Sequence, residues 1–154
     1  NADTVTTETV DTRIVELASS RFGGRMLIMS RFNGSNVNTR FDNCLANASS
    51  GDIVILEHGV TQDKTITKSV ILQGSGADCE FNADLTIDDQ RVILKNFNPN
   101  RFDGHQITVN DKECIITQMH FPEITLNGDN NSVVGNIAAS VTDNGNSNAV
   151  AGNT

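Results

Sequence analysis

From about residue 64 onward, apolar residues come in short triplets separated by polar turns. Val70-Ile71-Leu72, Val92-Ile93-Leu94, Cys114-Ile115-Ile116, Ser132-Val133-Val134 and Ala149-Val150-Ala151 succeed one another, and their central residues are 22, 22, 18 and 17 positions apart. Three residues beyond those centres stand Gly74, Asn96, Gln118, Asn136 and Asn153. A second column precedes the triplets: Thr65-Ile66, Thr86-Ile87, Thr108-Val109, Thr125-Leu126 and Thr142-Asp143. Each unit therefore reads threonine–apolar, polar turn, apolar triplet, then an amide or glycine.

The period decides the architecture. Helical repeats need about 34–47 residues per unit, and leucine-rich repeats need a leucine lattice that is absent here. β-Branched triplets bounded by Gly, Asn, Asp and Ser read as short strands. Short strands at this period with no helices between them predict an all-β fold: a parallel β-helix (solenoid) of about five to six short rungs. Each coil lies about 4.8 Å above the last, so equivalent positions stack. Centring the triplets predicts an interior ladder of Ile71, Ile93, Ile115, Val133 and Val150, each burial worth roughly 1.5–3 kcal/mol. Asn96, Gln118, Asn136 and Asn153 would form an amide ladder at a tight bend, donating to one rung and accepting from the other.

The entry to the stack has a different period. Phe41, Cys44, Leu45 and Ala48 stand at i, i+3, i+4 and i+7, which predicts a helix over 38–48 with Asn38 or Thr39 as N-cap. Ser49-Ser50-Gly51 ends it, and Asp52 to Leu56 is a strand. A helix over the first coil covers an edge that would otherwise be open. Further upstream, Ile14, Val15, Leu17, Ala18 and Phe22 predict an amphipathic helix over 11–22, stopped by Gly23-Gly24. Arg25 to Ser30 reads as a strand, and polar residues 1–10 as an arm. The chain thus divides into an N-terminal arm and small α/β cap over 1–37, and the β-helix over 38–154.

Composition narrows the chemistry. A chain of 154 residues is one domain by length. With no Trp, no Tyr and 7 Phe, its core must be largely aliphatic. A net charge of −8 argues against nucleic acid and against anionic membrane surfaces. No apolar run reaches the roughly 20 residues of a membrane span. Cys44, Cys79 and Cys114 lack CxxC spacing and read as buried or half-buried thiols.

The stretch FDNCLANASSGDIVILEHGVTQDKTITKSVILQGSGADC carries a resemblance. Gly51, Asp52, Ile53 to Leu56, Gly59, Ile66, Thr67, Lys68, Ser69, Ile71, Gln73, Gly74 and Gly76 resemble the opening of right-handed parallel β-helix proteins of the pectate-lyase-like superfamily. Those show a capping helix, Gly-Asp, a hydrophobic strand, a glycine turn and an ITKS-VILQG-G pattern. The resemblance covers about residues 38–154. It implies the fold and a right-handed coil, but hardly a function, because that superfamily holds lyases, hydrolases, esterases, phage spikes and noncatalytic scaffolds.

Glycan cleavage on such a scaffold needs clustered carboxylates, a pair about 5 or 6.5–9.5 Å apart in hydrolases. The resemblance adds acidic calcium ligands and a basic residue for lyases. The candidates are Asp88, Asp89 and Asp111, with Asp84, Glu113, Arg91 and Lys112 nearby. Against them, the charges alternate as on a solvated turn face, no Trp or Tyr offers a sugar platform, and coils this short leave few loops to wall a cleft. His58, His105 and His120 show no metal spacing, and no metal or cofactor is expected. An outward threonine rank can bind ice, but only Thr65-Ile66-Thr67 offers paired threonines.

The expectation is a noncatalytic structural protein, a phage or virion component (capsid decoration or spike) or an extracellular one. It would act as a homo-oligomer, a trimer by resemblance, or dock on a larger assembly such as a capsid. Ala149, Val150, Ala151 and Thr154 would form an edge that a neighbour covers. The alternative is a polysaccharide-binding or polysaccharide-cleaving fragment of an extracellular β-helix protein.

Overall fold

The computed structural model of the chain describes residues 24–154. The arm over 1–10 and the helix expected over 11–22 lie outside the described residues. The elements are β1 (Met26–Ile28), α1 (Val37–Asn47), β2 (Ile53–Ile55), β3 (Lys64–Ile66), β4 (Ile71–Gln73), β5 (Leu85–Ile87), β6 (Ile93–Lys95), β7 (Ile107–Val109), β8 (Ile115–Thr117), β9 (Glu123–Leu126), β10 (Ser132–Val134), β11 (Ser140–Asp143) and β12 (Ala149–Ala151). Seven strands form one sheet in the order β1-β2-β4-β6-β8-β10-β12, and five form another in the order β11-β9-β7-β5-β3. Every pairing joins one coil to the next in parallel. Isolated bridges, such as His120↔Ile137, mark a third wall. The chain is a parallel β-solenoid of about six turns, with one α-helix among the described residues, near their start.

The register corrects the expected core ladder. Ile71, Ile93 and Ile115 do stack on one another, but the next residues in that column are Ser132 and Ala149. Their side chains lie on the outer face, and Ile115 is 37% exposed. The inward column is Leu27, Val54, Leu72, Leu94, Ile116, Val133 and Val150, buried throughout except at Val150. Strand side chains alternate between faces, so a one-residue slip swaps inside for outside. In Val70-Ile71-Leu72 the flanking residues point inward and the centre points out. In Ser132-Val133-Val134 the centre points in. The 18-residue step seen in the sequence was this change of phase, since true equivalents Ile115, Ser132 and Ala149 are 17 apart.

The five-stranded sheet behaves as the sequence predicts. Thr65, Thr86, Thr108, Thr125 and Thr142 stack in register on its outer face, flanked by inward Ile66, Ile87, Val109 and Leu126. The residue in register beyond Leu126 is Asp143, which is exposed. At the opposite end of the stack the core is aromatic. Phe41 meets Phe81 edge-on at 5.9 Å, and Phe81 meets Phe97 at 6.1 Å.

Helix α1 closes that aromatic end. Its N-cap is Asn36, whose side chain accepts the Thr39 N–H at 3.0 Å, two residues earlier than Asn38. Asn38 instead turns inward and accepts the N–H groups of Thr61 and Gln62. Phe41 and Cys44 are buried against the first coils. Lys68 Nζ donates to the carbonyls of Leu45, Ala46 and Ala48, neutralising the orphan acceptors at the helix C-terminus. Lys64, buried in an inward position, reaches Asp42 on the helix at 2.8 Å. β1 pairs with β2 from Met26 to Ile28, so the solenoid sheet begins before the helix, inside the segment read as a cap.

Candidate functional site

The expected amide ladder splits into two columns. Asn96 and Gln118 adopt left-handed backbone conformations at a bend, and the residues stacked on them are Gly135 and Gly152, also at positive φ. Glycine meets no Cβ penalty there, and Asn tolerates the region better than most residues. Asn136 and Asn153 lie one position further on and point inward, below Phe97 and Met119. The Asn136 carboxamide accepts the Met119 N–H at 2.9 Å and donates to Ile116 O at 3.0 Å and Asn153 Oδ1 at 2.9 Å. Asn153 in turn accepts the Asn136 N–H and donates to Val133 O. A second inward pair repeats the pattern: Asn131 accepts the Cys114 N–H, and Asn148 accepts the Asn131 N–H.

The carboxylate candidates sit on the turns between the sheets. Asp88 heads an outer ladder: Asn110 donates to it at 2.8 Å, Asn127 to Asn110 at 3.0 Å and Asn144 to Asn127 at 3.1 Å. Asp89 and Asp111 occupy the next column, each accepting the N–H of the residue after it, Gln90 and Lys112, at 2.8 Å. Glu113 pairs with Arg91 at 2.7 Å, and that hydrogen bond holds its carboxyl below the ordinary range. Beside Asp111 lies a shallow, open hollow of about 510 Å³ lined by polar turn residues 110–112 and 127–130. The stack thus brings the three aspartates onto neighbouring turns and gives each a local hydrogen-bonding role. Among the described residues no group of three or more His, Cys, Asp or Glu could hold a metal ion. The histidines are dispersed: His58 contacts the Asp78 carbonyl, His105 lies 3.7 Å from Asp84, and His120 stands beside Phe121.

A different cluster stands out on the surface. Residues Arg101–Asp103 form a short 3-10 turn between left-handed Asn100 and Gly104. Phe102 at its tip is 67% exposed. Its ring lies 4.8 Å from that of Phe121, and the Arg101 guanidinium lies 5.2 Å from the Phe102 ring. Ile137, 46% exposed, bridges to His120 in the adjoining coil. The loop is braced from below: Asn100 Nδ2 donates to Asn82 Oδ1 and Asp103 Oδ2, both at 2.8 Å. The sequence reading missed this cluster. Its signal is the spacing of inward residues: Phe97 and Ile107 are ten apart, whereas their equivalents Met119 and Ile124 are five apart. All the extra length of that 22-residue coil is the Phe102 loop.

No family model, curated protein or solved structure matches this chain, so the comparisons leave the resemblance to pectate-lyase-like β-helices as a likeness of pattern.

Proposed function

We propose that the chain is a noncatalytic structural module that joins a larger protein assembly through the patch around Phe102. The observation carrying this reading is the exposed aromatic–arginine cluster on a braced loop. Aromatic and arginine side chains dominate the energetic centres of protein interfaces. A ring already held in place gives up little conformational freedom on docking. The rest of the wall supports a rigid spacer, since coil-to-coil pairing and amide ladders run through it. A virion or extracellular setting, and a trimer in particular, follow from the β-helix resemblance and not from the patch.

Sedimentation of the native chain over a range of concentrations tests the reading. The expected result is a defined oligomer that dissociates in Phe102→Ala and Arg101→Ala, both surface changes that leave the core untouched. A monomer at every concentration, or an oligomer indifferent to both changes, overturns it.

The second reading, polysaccharide binding or cleavage, draws on the same exposed ring, because sugar rings stack on aromatic faces, and on Asp88, Asp89 and Asp111. A panel of polysaccharides decides it. Binding or turnover that disappears on alanine substitution of those aspartates supports this reading, and a silent wild type removes it.

A further inference from the structure

The chain carries three Asn-Gly pairs: Asn33-Gly34, Asn127-Gly128 and Asn144-Gly145. In each the glycine is imposed by packing. A Cβ on Gly34 would collide with the Arg40 N, one on Gly128 with the Asp111 carbonyl, and one on Gly145 with the Gly128 carbonyl. The same feature opens these pairs to attack, since no side chain shields the glycine N from the carboxamide before it. The reaction is intramolecular. The glycine backbone N loses its proton and bonds to the asparagine Cγ, while the Cγ–Nδ2 bond breaks and ammonia leaves. Water then opens the resulting succinimide. Cleavage of the new N–Cγ bond gives aspartate, and cleavage of the original peptide bond gives isoaspartate. Either way, an amide and water become a carboxylic acid and ammonia.

Attack needs an uncommitted glycine N–H and a carboxamide that can swing onto it. The solenoid withholds both at its later coils. Asn127 Nδ2 donates to Asn110 Oδ1 at 3.0 Å, and Asn127 Oδ1 accepts from Asn144 at 3.1 Å, so this carboxamide is held at both ends. The Gly128 N–H donates to the Val109 carbonyl at 3.2 Å. Asn144 is held at one end, through the Nδ2 that donates to Asn127, and the Gly145 N–H donates to Asp143 Oδ1 at 3.1 Å. Asn33 differs at both atoms. It is exposed, and neither its carboxamide nor the Gly34 N–H makes a hydrogen bond among the described residues. The ties at this pair are to carbonyls instead: Asn43 Nδ2 donates to Asn33 O at 2.6 Å, and Arg40 Nη1 to Gly34 O at 3.2 Å. A donor on the Asn33 carbonyl stabilises the anion formed when the Gly34 amide loses its proton.

We propose that Asn33 is a modification site of the folded chain, deamidating spontaneously to isoaspartate and aspartate, while the outer ladder keeps Asn127, and less fully Asn144, unreactive. In the isoaspartate product the former Asn33 carbonyl is a carboxylate, to which Asn43 Nδ2 can still donate. Conversion therefore adds a negative charge without releasing the tie to α1. This inference is independent of the proposed function.

Peptide mapping by mass spectrometry, with isoaspartate resolved by chromatography, tests it. The native chain and the same chain in concentrated urea are incubated at mildly alkaline pH, and the urea rates give each site its unprotected reference. Asn33 should react in the native chain within about threefold of its urea rate, Asn127 at least about tenfold more slowly than in urea, and Asn144 between them. Asn33→Gln should remove the early product, because the longer side chain no longer closes a five-membered ring. Asn110→Ala, which takes away the acceptor of the Asn127 carboxamide, should speed Asn127 and leave Asn33 unchanged. If circular dichroism shows that Asn110→Ala unfolds, Asn144→Ala supplies the comparison by removing the donor to Asn127 Oδ1. Protection of Asn33 in the native chain, reaction of Asn127 at its urea rate, or indifference of Asn127 to loss of its folded ladder partner overturns the proposal.

Discussion

Asn136 is 1% exposed, and its carboxamide is the partner of a buried backbone N–H. Truncation in Asn136→Ala leaves the Met119 N–H without its acceptor and removes the donors to Ile116 O and Asn153 Oδ1. An orphaned buried donor costs about 1–3 kcal/mol, and each ordinary hydrogen bond lost adds about 1. With partial relaxation, the sum is about 2–4 kcal/mol. For a domain of this size, the midpoint of thermal unfolding should fall by roughly 4–16 °C. Asn136→Leu sharpens the argument, because it restores apolar volume without restoring the acceptor. If polar satisfaction is what matters, leucine should be little better than alanine. Urea unfolding followed by circular dichroism measures the loss. Because each coil contacts only its neighbours, exchange of the Met119 amide should be read alongside it to catch local opening of the last coils. An Asn136→Leu protein within about 0.5 kcal/mol of wild type, with the Met119 amide still protected, refutes the reasoning.

Two glycines separate close approach from backbone strain. A Cβ on Gly128 would stand 2.0 Å from the Asp111 carbonyl oxygen, whereas one on Gly135, at φ +68°, meets nothing nearer than Thr117 Oγ1 at 3.7 Å. Gly128→Ala should therefore destabilise by more than the 1–3 kcal/mol of ordinary overpacking, and Gly135→Ala by only about 1–2 kcal/mol; equal urea midpoints would sink this account. Burial pushes the Asp52 carboxyl up, but hydrogen bonds from Arg25 and from the Ser49 and Arg25 backbone N–H groups outweigh it and hold the group below the ordinary range. A depressed folded-state value means stability that is present above about pH 4 and lost as pH falls further. Asp52→Asn should lower stability at neutral pH and flatten that acid loss, as urea midpoints from pH 7 to pH 3 would show; an unchanged acid limb counts against the assignment.

The threonine column was legible because β5, β7 and β9 each show threonine between apolar neighbours, so the alternation itself marks the faces. The other sheet hid its phase. Ile71, Ile93 and Ile115 are apolar on the outside as well as the inside, and a run apolar on both faces carries no alternation to read. The cap showed the reverse ambiguity: Asn36 and Asn38 are equally good N-caps by type, and only the inward hydrogen bonds of Asn38 to the Thr61 turn decide between them. The outer Asp88–Asn110–Asn127–Asn144 ladder and the inner Asn131–Asn148 pair were not read from the sequence, because asparagine is as common in its polar turns as in its ladders. The Phe102 loop could be found by length alone, and its exposure could not, because nothing local distinguishes a ring that folds in from one that stays out.

The stacked amides, outer and inner, also make the later coils interchangeable. Asn110, Asn127 and Asn144, Asn131 and Asn148, and Asn136 and Asn153 recur at 17 residues, and each hands the same donors and acceptors to the coil before it. Removing or duplicating one such 17-residue unit would leave every surviving amide facing an equivalent partner. In the earlier coils, by contrast, lengths differ and one coil carries the Phe102 loop. Rod length can therefore change at one end of the molecule by whole coils without redesign, while the cap keeps its position at the other.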